Sequence, residues 1–383
     1  MSKVIPLSVP NISGNEWNYV KDCLDTGWIS SVGSYVTKFE EIVADFVGAK
    51  YGIAAVNGTA AIHISLQLIG VTAGDYVIMP NITFVATANA IKYTGGEPIL
   101  IDAYPDTWQM DLDLLEEFLD EETTFNDQGD LMHSSSGRRI KAIVPVHVQG
   151  NIGDMDRLKA IASKYSLVIV EDAAESLGST YKGQHGGTFG KLGCISFNGN
   201  KIISTGGGGM IVTNDETLAR RAKHITTTAK TDPLEYFHDE VGYNYRLVNV
   251  LAAMGVAQME QLVKFVNRKQ EIGDYYKREL SGVGDLGFQI INPGVSHNNW
   301  LFTIKTNHQK GLLNRLNANK IISRPFWTPM RFLPMYKDCI YISKDDNCSI
   351  IHQTCLALPC STNITNEELS VVTMEIKKYF ASS

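Results

Sequence analysis

The sequence predicts an α/β chain built on a mostly parallel sheet, with a large domain over residues 1–260 and a smaller carboxy-terminal α/β domain over 261–383. Three observations lead there. Short β-branched runs alternate with segments of helical periodicity through the first two thirds of the chain, the pattern of strands joined by right-handed crossovers. The run Leu167-Val168-Ile169-Val170 has no polar interruption, as a strand buried on both faces reads, and Glu171 and Asp172 follow at its end. Ligand sites in open α/β sheets gather at the carboxyl ends of strands. Finally, 383 residues, 44% hydrophobic and 20% charged, suffice for a core divided between two domains.

Taken in order, the chain begins with an extended arm. Helical spacing follows over Glu16 to Leu24 and Tyr35 to Val47, the second with Val36, Phe39, Ile42, Val43 and Phe46 on one face. Tyr51 to Val56 reads as a strand, Asn57-Gly58-Thr59 as a turn, and Ala60 to Ile69 as an apolar helix whose start offers unpaired amides to an anion. Thr59 reads equally as an ordinary cap. Asp75 to Pro80 and Pro98 to Ala103 are further strands, with a helix opened by Asn81 to Thr87 between them. Residues 111–118 look helical. Asp120 to Arg139 is polar and reads as a surface hairpin or loop, with His133 ligating nothing. Lys141 to Val148 is a strand and Asp154 to Tyr165 its crossover helix; His147 and Gln149 at the strand end read as site residues or as hydrogen-bonded structure. Beyond the central region, Glu216 to His224 is helical and a proline-free helix spans Asn249 to about Leu280. The smaller domain contributes a strand over Trp300 to Thr306 and a final helix over Glu367 to Phe380.

Composition narrows the function. A net charge of −7 and a pI near 5.7 argue against a protein that coats nucleic acid. The amino terminus, MSKVIPLSVPN, shows no sustained apolar region with a cleavage site, and no uninterrupted apolar stretch is long enough to span a bilayer, so no membrane partner and a cytoplasmic location are expected. Six cysteines without a CxxC pair and nine histidines without HExxH point to free thiols and no metal.

The stretch from Ser166 to Asp215 carries the chemistry. After the acids comes a glycine-rich loop, a second apolar segment Cys194-Ile195-Ser196-Phe197, and the turn Asn198-Gly199-Asn200-Lys201, followed by Ser204-Thr205 and four glycines. A lysine amine held in a tight turn can bond an aldehyde carbon or serve as a base. Neither glycine cluster has the spacing of a phosphate-binding Walker loop, and neither contains GxGxxG. The ordered blocks DAAES, SFNGNK and TGGGGM, with Lys201 standing 29 residues after Asp172, resemble the DegT/DnrJ/EryC1/StrS family of sugar aminotransferases. That family uses pyridoxal 5'-phosphate on the aspartate aminotransferase-like fold, fold type I, with a mostly parallel seven-stranded sheet.

The resemblance implies roles residue by residue. Asp172 pairs with the ring nitrogen of the cofactor, keeping it protonated and the ring an electron sink. Lys201 holds the aldehyde and moves a proton once displaced. Glu175 lies near the ring oxygen, Ser196 and the Gly58-Thr59-Ala60 helix start hold the phosphate, and Phe84 stacks on the ring. The Trp28 to Gly33 turn, with Ser30, resembles the family's turn at the sugar, although Trp28 reads equally as a packing aromatic. Asn244, within Asn-Tyr-Arg, implies a contact to the cofactor phosphate of a neighbouring subunit, hence a homodimer with shared sites. The segment from Arg324 to Tyr336 resembles the loop that closes over the sugar. Arg331 stands where many relatives have His, and reads as a diphosphate contact or as a solvated side chain.

The whole pattern implies transfer of an amino group, with L-glutamate as donor, to a nucleotide-linked keto sugar. SFNGNKIISTGGGGM and NITFVATANAI look most like enzymes acting at C4 of a UDP-linked 4-keto-6-deoxy-N-acetylhexosamine for bacterial surface glycans; C3 transfer, or a GDP- or dTDP-linked sugar, is the alternative. A sugar dehydratase of the same family carries His in place of the lysine, which Lys201 opposes. A non-catalytic cofactor-binding sensor is opposed by intact Asp172, Ser196 and Lys201.

Overall fold

A computed structural model describes residues 4–232 and 234–382. The main sheet is assembled from β1 (Tyr51–Ala55), β2 (Tyr76–Pro80), β3 (Glu97–Ile101), β4 (Ile140–Ile143), β5 (Val168–Asp172), β6 (Leu192–Ser196) and β7 (Gly209–Thr213). Their order across the sheet is β1-β7-β6-β5-β4-β2-β3, and the strand Tyr341–Ile342 adds an eighth member beside β3. Only β7 runs antiparallel to its neighbours. The mostly parallel character is therefore as expected, and the eight strands replace the expected seven. The added strand is two residues contributed by the chain well after residue 261. β7 had no separate signal, because Met210-Ile211-Val212 is short and follows directly on the glycine run.

Helices cover both faces of this sheet, and their limits follow local chemistry. They are α1 (Glu16–Thr26), α2 (Ser34–Val47), α3 (Gly58–Leu68), α4 (Ala86–Tyr93), α5 (Leu112–Glu122), α6 (Met155–Lys164), α7 (Glu216–Thr226), α8 (Asn249–Met259) and α9 (Leu262–Leu280). Asp111, Asp154 and Asp215 each accept amides of the following helix, the usual cap for orphan donors. The helix expected to run unbroken from Asn249 to Leu280 instead breaks at Glu260 and Gln261. Proline is not needed for such a break. Gln258 is drawn out by hydrogen bonds to Glu16 and to the Asn11 carbonyl, and Glu260 by Asn15 and Tyr19, so the arm and α1 compete for this turn.

The polar stretch after α5 does form a hairpin, Thr123–Phe125 against Leu131–His133. His133 packs its buried ring 5.6 Å from Tyr76 and 6.0 Å from Phe118, a packing role rather than a ligand's. The expected strand over Lys141 to Val148 stops at Ile143, and the chain then turns into a short 3-10 turn at Val148–Gly150.

A second, antiparallel sheet orders Gly287–Phe288, Phe302–Lys305, Cys355–Leu358 and Arg324–Pro325. Helices Gln309–Ala318 and Asn366–Ala381 cover it, the latter opened by a full capping box from Thr365 and Glu368. The amino-terminal arm belongs to this layer in space. Ile5 bridges Ile321, Leu7 accepts the Cys360 amide at 2.8 Å, and the Val9 amide reaches Ser361 at 3.1 Å. Chain connections therefore cross the expected division at 260/261 in both directions. Among the described residues no helix is long and apolar enough to cross a membrane, and the six cysteines are free thiols.

Two buried polar joints fix the first helices, one to α8 and one to the sheet. Asn249 accepts the amides of Tyr35 and Val36 at the start of α2 and donates to the Trp28 carbonyl at 2.7 Å. Gly33 must be glycine there, since a Cβ would come 2.2 Å from Asn249 Cγ. Glu40 of α2 accepts the Ala54 amide of β1 at 2.8 Å and is bidentate with Arg246, both acid and base being buried. Removing one member of such a pair strands the other charge in a poor solvent, at about 3–5 kcal/mol. Arg246→Met is expected to lower the thermal midpoint by at least about 5 °C, read by differential scanning calorimetry, while Arg220→Met on the exposed face of α7 is expected to change it little.

Candidate active site

β5 delivers two acids to opposite faces because side chains alternate along a strand. Glu171 turns away from the cavity and is consumed by structure. It accepts the amides of Gly187, Phe189 and Gly190 at 2.8, 2.6 and 2.6 Å, and pairs with His147 Nε2 at 2.8 Å. His147 is thereby a structural histidine. Asp172 faces a cavity of about 680 Å³, the size of small-molecule sites. Its Oδ2 accepts the Thr87 hydroxyl at 2.6 Å and its Oδ1 the Ala174 amide at 3.1 Å.

The neighbouring strand β6 ends at Ser196, and the turn beyond it closes with the Lys201 amide on the Asn198 carbonyl and the Thr205 amide on the Phe197 carbonyl, both at 3.0 Å. This turn presents Lys201 to the same cavity. α3 begins against the end of β6 so closely that a Cβ on Gly58 would lie 2.9 Å from Ser196 Cβ, which is why glycine stands there. Gly58, Thr59, Phe84, Asp172, Glu175, Ser196 and Lys201, which are far apart in sequence, all line this one cavity. The Phe84 ring is 56% exposed.

Burial governs the charges. Asp172 is raised above the usual carboxylate range, because burial outweighs its hydrogen bonds and the attraction of Lys201 and His147. Glu175 is raised by burial to about 7, with Lys201 and the Gln149 amide opposing. Lys201 is lowered by burial, with Glu175 and Asp172 opposing. Lys201 Nζ lies 3.7 Å from Glu175 Oε1, so the attraction between acid and amine opposes the effect of burial on both. Gln149 holds Glu175 from the far side, its amide donating to Oε2 at 2.8 Å. To do so Gln149 adopts φ 63°, a left-handed conformation that costs a non-glycine residue about 1–2 kcal/mol. His297 and Thr303 secure the same residue by hydrogen bonds to its carbonyl and side chain.

Other expected site residues lie elsewhere. Ala60 does not line the cavity, since its amide is taken by the Asn57 side chain at 2.7 Å; the helix start offers Gly58 and Thr59 instead. Tyr336 is corrected outright. Its ring is 1% exposed within the core and its hydroxyl bonds Asn89, leaving no face for a substrate. Arg331 is corrected too: its guanidinium lies outside this cavity, bonds Asp346 at 2.5 Å and stacks on Phe332 and Tyr341. Trp28 and Ser30 lie away from the cavity of their own chain, with the Trp28 ring 57% exposed and both carbonyls bound to Asn249. Asn244 sits in a bridge with Thr227, likewise apart from it. Sequence reading gave Trp300 no site role; it lines the cavity together with Arg324 and Trp327, which lie in the segment expected to close over the sugar although neither was singled out there. Arg324 stands at the front of the segment in which Arg331 had been singled out, and among the described residues it meets no carboxylate.

These residues fit pyridoxal phosphate. Asp172 is a buried carboxylate whose two close donors are neutral, so a protonated ring nitrogen supplies the cation that its burial lacks. Gly58 and Thr59, with no intrahelical partner for their amides, and Ser196 form a cradle for a phosphate. Lys201 provides the amine. The linkage of Glu175 has a definite sign: a carboxyl raised from 4.5 to about 7 on folding favours the folded state fully below pH 4.5 and loses that contribution as pH rises toward 7. In chain freed of cofactor, Glu175→Gln is therefore expected to gain stability relative to wild type as pH rises from about 4.5 to 7, measured by urea unfolding at several pH values; a constant difference would contradict the buried, neutral acid.

The profile of the DegT/DnrJ/EryC1/StrS aminotransferase family matches residues 10–377. GDP-perosamine synthase of Escherichia coli O157:H7 is 36% identical over 382 residues, covering 99% of each chain. UDP-2-acetamido-2-deoxy-3-oxo-D-glucuronate aminotransferase of Pseudomonas aeruginosa is 36% identical over 294 residues, covering 74% of this chain and 75% of that protein. Among solved structures, a DegT DnrJ EryC1 StrS aminotransferase from Brucella abortus superposes with a TM-score of 0.87 at 25% identity, over 96% of this chain and 95% of the other. The motif order, the cavity that joins Asp172 to Lys201, and these likenesses agree: the chain belongs to the DegT/DnrJ/EryC1/StrS aminotransferase family.

Proposed function

We propose that the protein transfers an amino group from L-glutamate to the C4 keto group of a nucleotide-linked 6-deoxy sugar, using pyridoxal phosphate. The observation that carries the reading is the meeting of Lys201, Asp172 and the α3 start in one cavity. When bound, the cofactor supplies an aldehyde that exchanges amines and a ring that takes up negative charge. Asp172 keeps the ring nitrogen charged. Lys201 Nζ would hold the aldehyde when the cofactor is bound, and its free amine would take and return the substrate proton. Glu175 receives or supplies a proton at Nζ across the 3.7 Å separation. Arg324 at the cavity wall suits the anionic ends of both substrates, the carboxylate of glutamate and the diphosphate of the sugar nucleotide.

For the nucleotide, likeness over the full length favours GDP: the relative named for a GDP sugar aligns over 99% of both chains, the UDP-sugar relative over about three quarters. A UDP-linked 4-keto-6-deoxy-N-acetylhexosamine is the second reading, supported by the SFNGNKIISTGGGGM and NITFVATANAI blocks. A coupled assay with glutamate and GDP-, UDP- and dTDP-linked 4-keto sugars decides between them by kcat/KM, and turnover of none of them would sink the reading. Borohydride reduction and peptide mapping test the lysine directly. The reduced cofactor is expected on Lys201 and lost in Lys201→Ala; its appearance on Lys182 or Lys191 would contradict the assignment.

The working unit in this reading is a cytoplasmic homodimer whose sites are completed by Asn244 of the other subunit. Exposed apolar side chains support an interface: Leu234, Tyr236, Phe237 and Val241 precede Asn244, and Trp28, Ile29 and Val32 stand exposed in the turn before α2. Co-refolding Asn244→Ala with Lys201→Ala chains tests it. Provided each variant alone is impaired, about a quarter of wild-type activity is expected from random pairing, since one site in each mixed dimer is intact. No recovery in proven mixed dimers would mean that Asn244 serves its own chain.

A further inference from the structure

The amine of Lys201 must be held somewhere whenever it bonds nothing. Its Nζ lies 4.0 Å from the centroid of the Trp300 ring, while the nearest carboxylate oxygen, of Glu175, is 3.7 Å away. Trp300 is 2% exposed and is fixed on four sides. Its Nε1 donates to the Asn200 carbonyl at 2.8 Å, its amide donates to Asn298 Oδ1 at 2.9 Å, its carbonyl accepts from Lys269 Nζ at 2.8 Å, and its ring lies nearly parallel to Trp327, 14° apart at 6.2 Å. A ring so held cannot swing away to follow the lysine. It is a platform.

An aromatic face attracts an ammonium through its quadrupole but has no atom able to take the proton. A carboxylate does both. Lys201 therefore meets two partners with different properties: Trp300 favours the charged amine and fixes its position, while Glu175 exchanges its proton. Asp172 is the other charged group that acts on the amine. We propose that Trp300 is the positioning residue of Lys201, its ring face holding the unbonded amine between Glu175 and the cavity so that the released lysine stays within reach of the substrate proton. The inference rests on Lys201 being the reactive amine of the proposed function.

The test separates the ring face from the hydrogen bond to Asn200. Trp300→Phe keeps a face and loses the bond; Trp300→Leu loses both but still fills the space with apolar atoms, so burial of the amine persists. Full-length chain freed of cofactor is treated with cyanate across a pH series, and carbamylation of Lys201 is followed by peptide mass spectrometry, because only the neutral amine reacts. Loss of the cation–π contact disfavours the ammonium, so the Leu variant is expected to label with a midpoint about one pH unit below wild type, with Phe in between. In the loaded enzyme kcat is expected to fall more than tenfold for Leu and much less for Phe, with KM nearly unchanged. Equal midpoints in wild type and Leu, or identical shifts in Phe and Leu, would overturn the proposal. If the Leu variant fails to fold by circular dichroism, the Phe variant decides alone: a midpoint a few tenths of a unit below wild type supports the ring face, and an unchanged or raised one overturns it. Labelling uses no cofactor. A shifted midpoint with no borohydride-fixed cofactor on Lys201 would thus leave the Trp300 contact standing while the aminotransferase reading fails, and the converse pair of results would do the opposite.

Discussion

Three ionisable groups line one cavity, and the site depends on how their charges are balanced. Burial drives Asp172 and Glu175 toward the neutral acid and Lys201 toward the neutral amine. Each nonetheless remains within reach of a partner that restores charge. Glu175 and Lys201 attract one another across 3.7 Å, and Lys201 and His147 attract Asp172. Acid and amine thus stand close enough to act on one another's charge.

Such a balance needs rigid surroundings, and the structure places them outside the acids themselves. Glu171 takes no part in the chemistry, but with His147 and three loop amides it locks the loop that follows β5. Gln149 is kept in a strained conformation so that its amide meets Glu175, and the strain is offset by His297 and Thr303. Thr87, in the first turn of α4, fixes one Asp172 oxygen. The reacting groups thus stand on strand ends and tight turns while their orientation is set by residues from several other elements.

The second sheet is more than an appendage. It contributes Arg324 to the cavity wall and Thr303 to the Gln149 side chain, Trp300 stands two residues before its strand Phe302–Lys305, and the amino-terminal arm is hydrogen bonded beside it. In the other direction, Tyr341–Ile342 extends the main sheet and Tyr336 fills its core. Chain crossing both ways makes the cavity wall continuous across the two layers, which explains why the site includes residues that no single stretch of sequence groups together.

What the sequence by itself determined is whatever is local. A β-branched run followed by acids, a glycine and threonine after a strand, and a lysine in a turn of small residues are short-range patterns, and each keeps its meaning in the folded chain. Asp172, Lys201, Gly58 and Thr59 were legible for that reason, as were most helices and the parallel character of the sheet, whereas Glu175, Ser196 and Phe84 were reached through the resemblance of the blocks that hold them. Tertiary structure alone decided the rest. Nothing near Trp300 distinguishes it from a core aromatic, and nothing near Arg324 and Arg331 shows that the first faces the cavity while the second is neutralised by Asp346. The same holds for Tyr336, whose core position depends on helix and strand packing from the first hundred residues. Side-chain roles set by contacts between distant segments depend on how layers pack, and packing is a property of the whole chain rather than of any stretch of it.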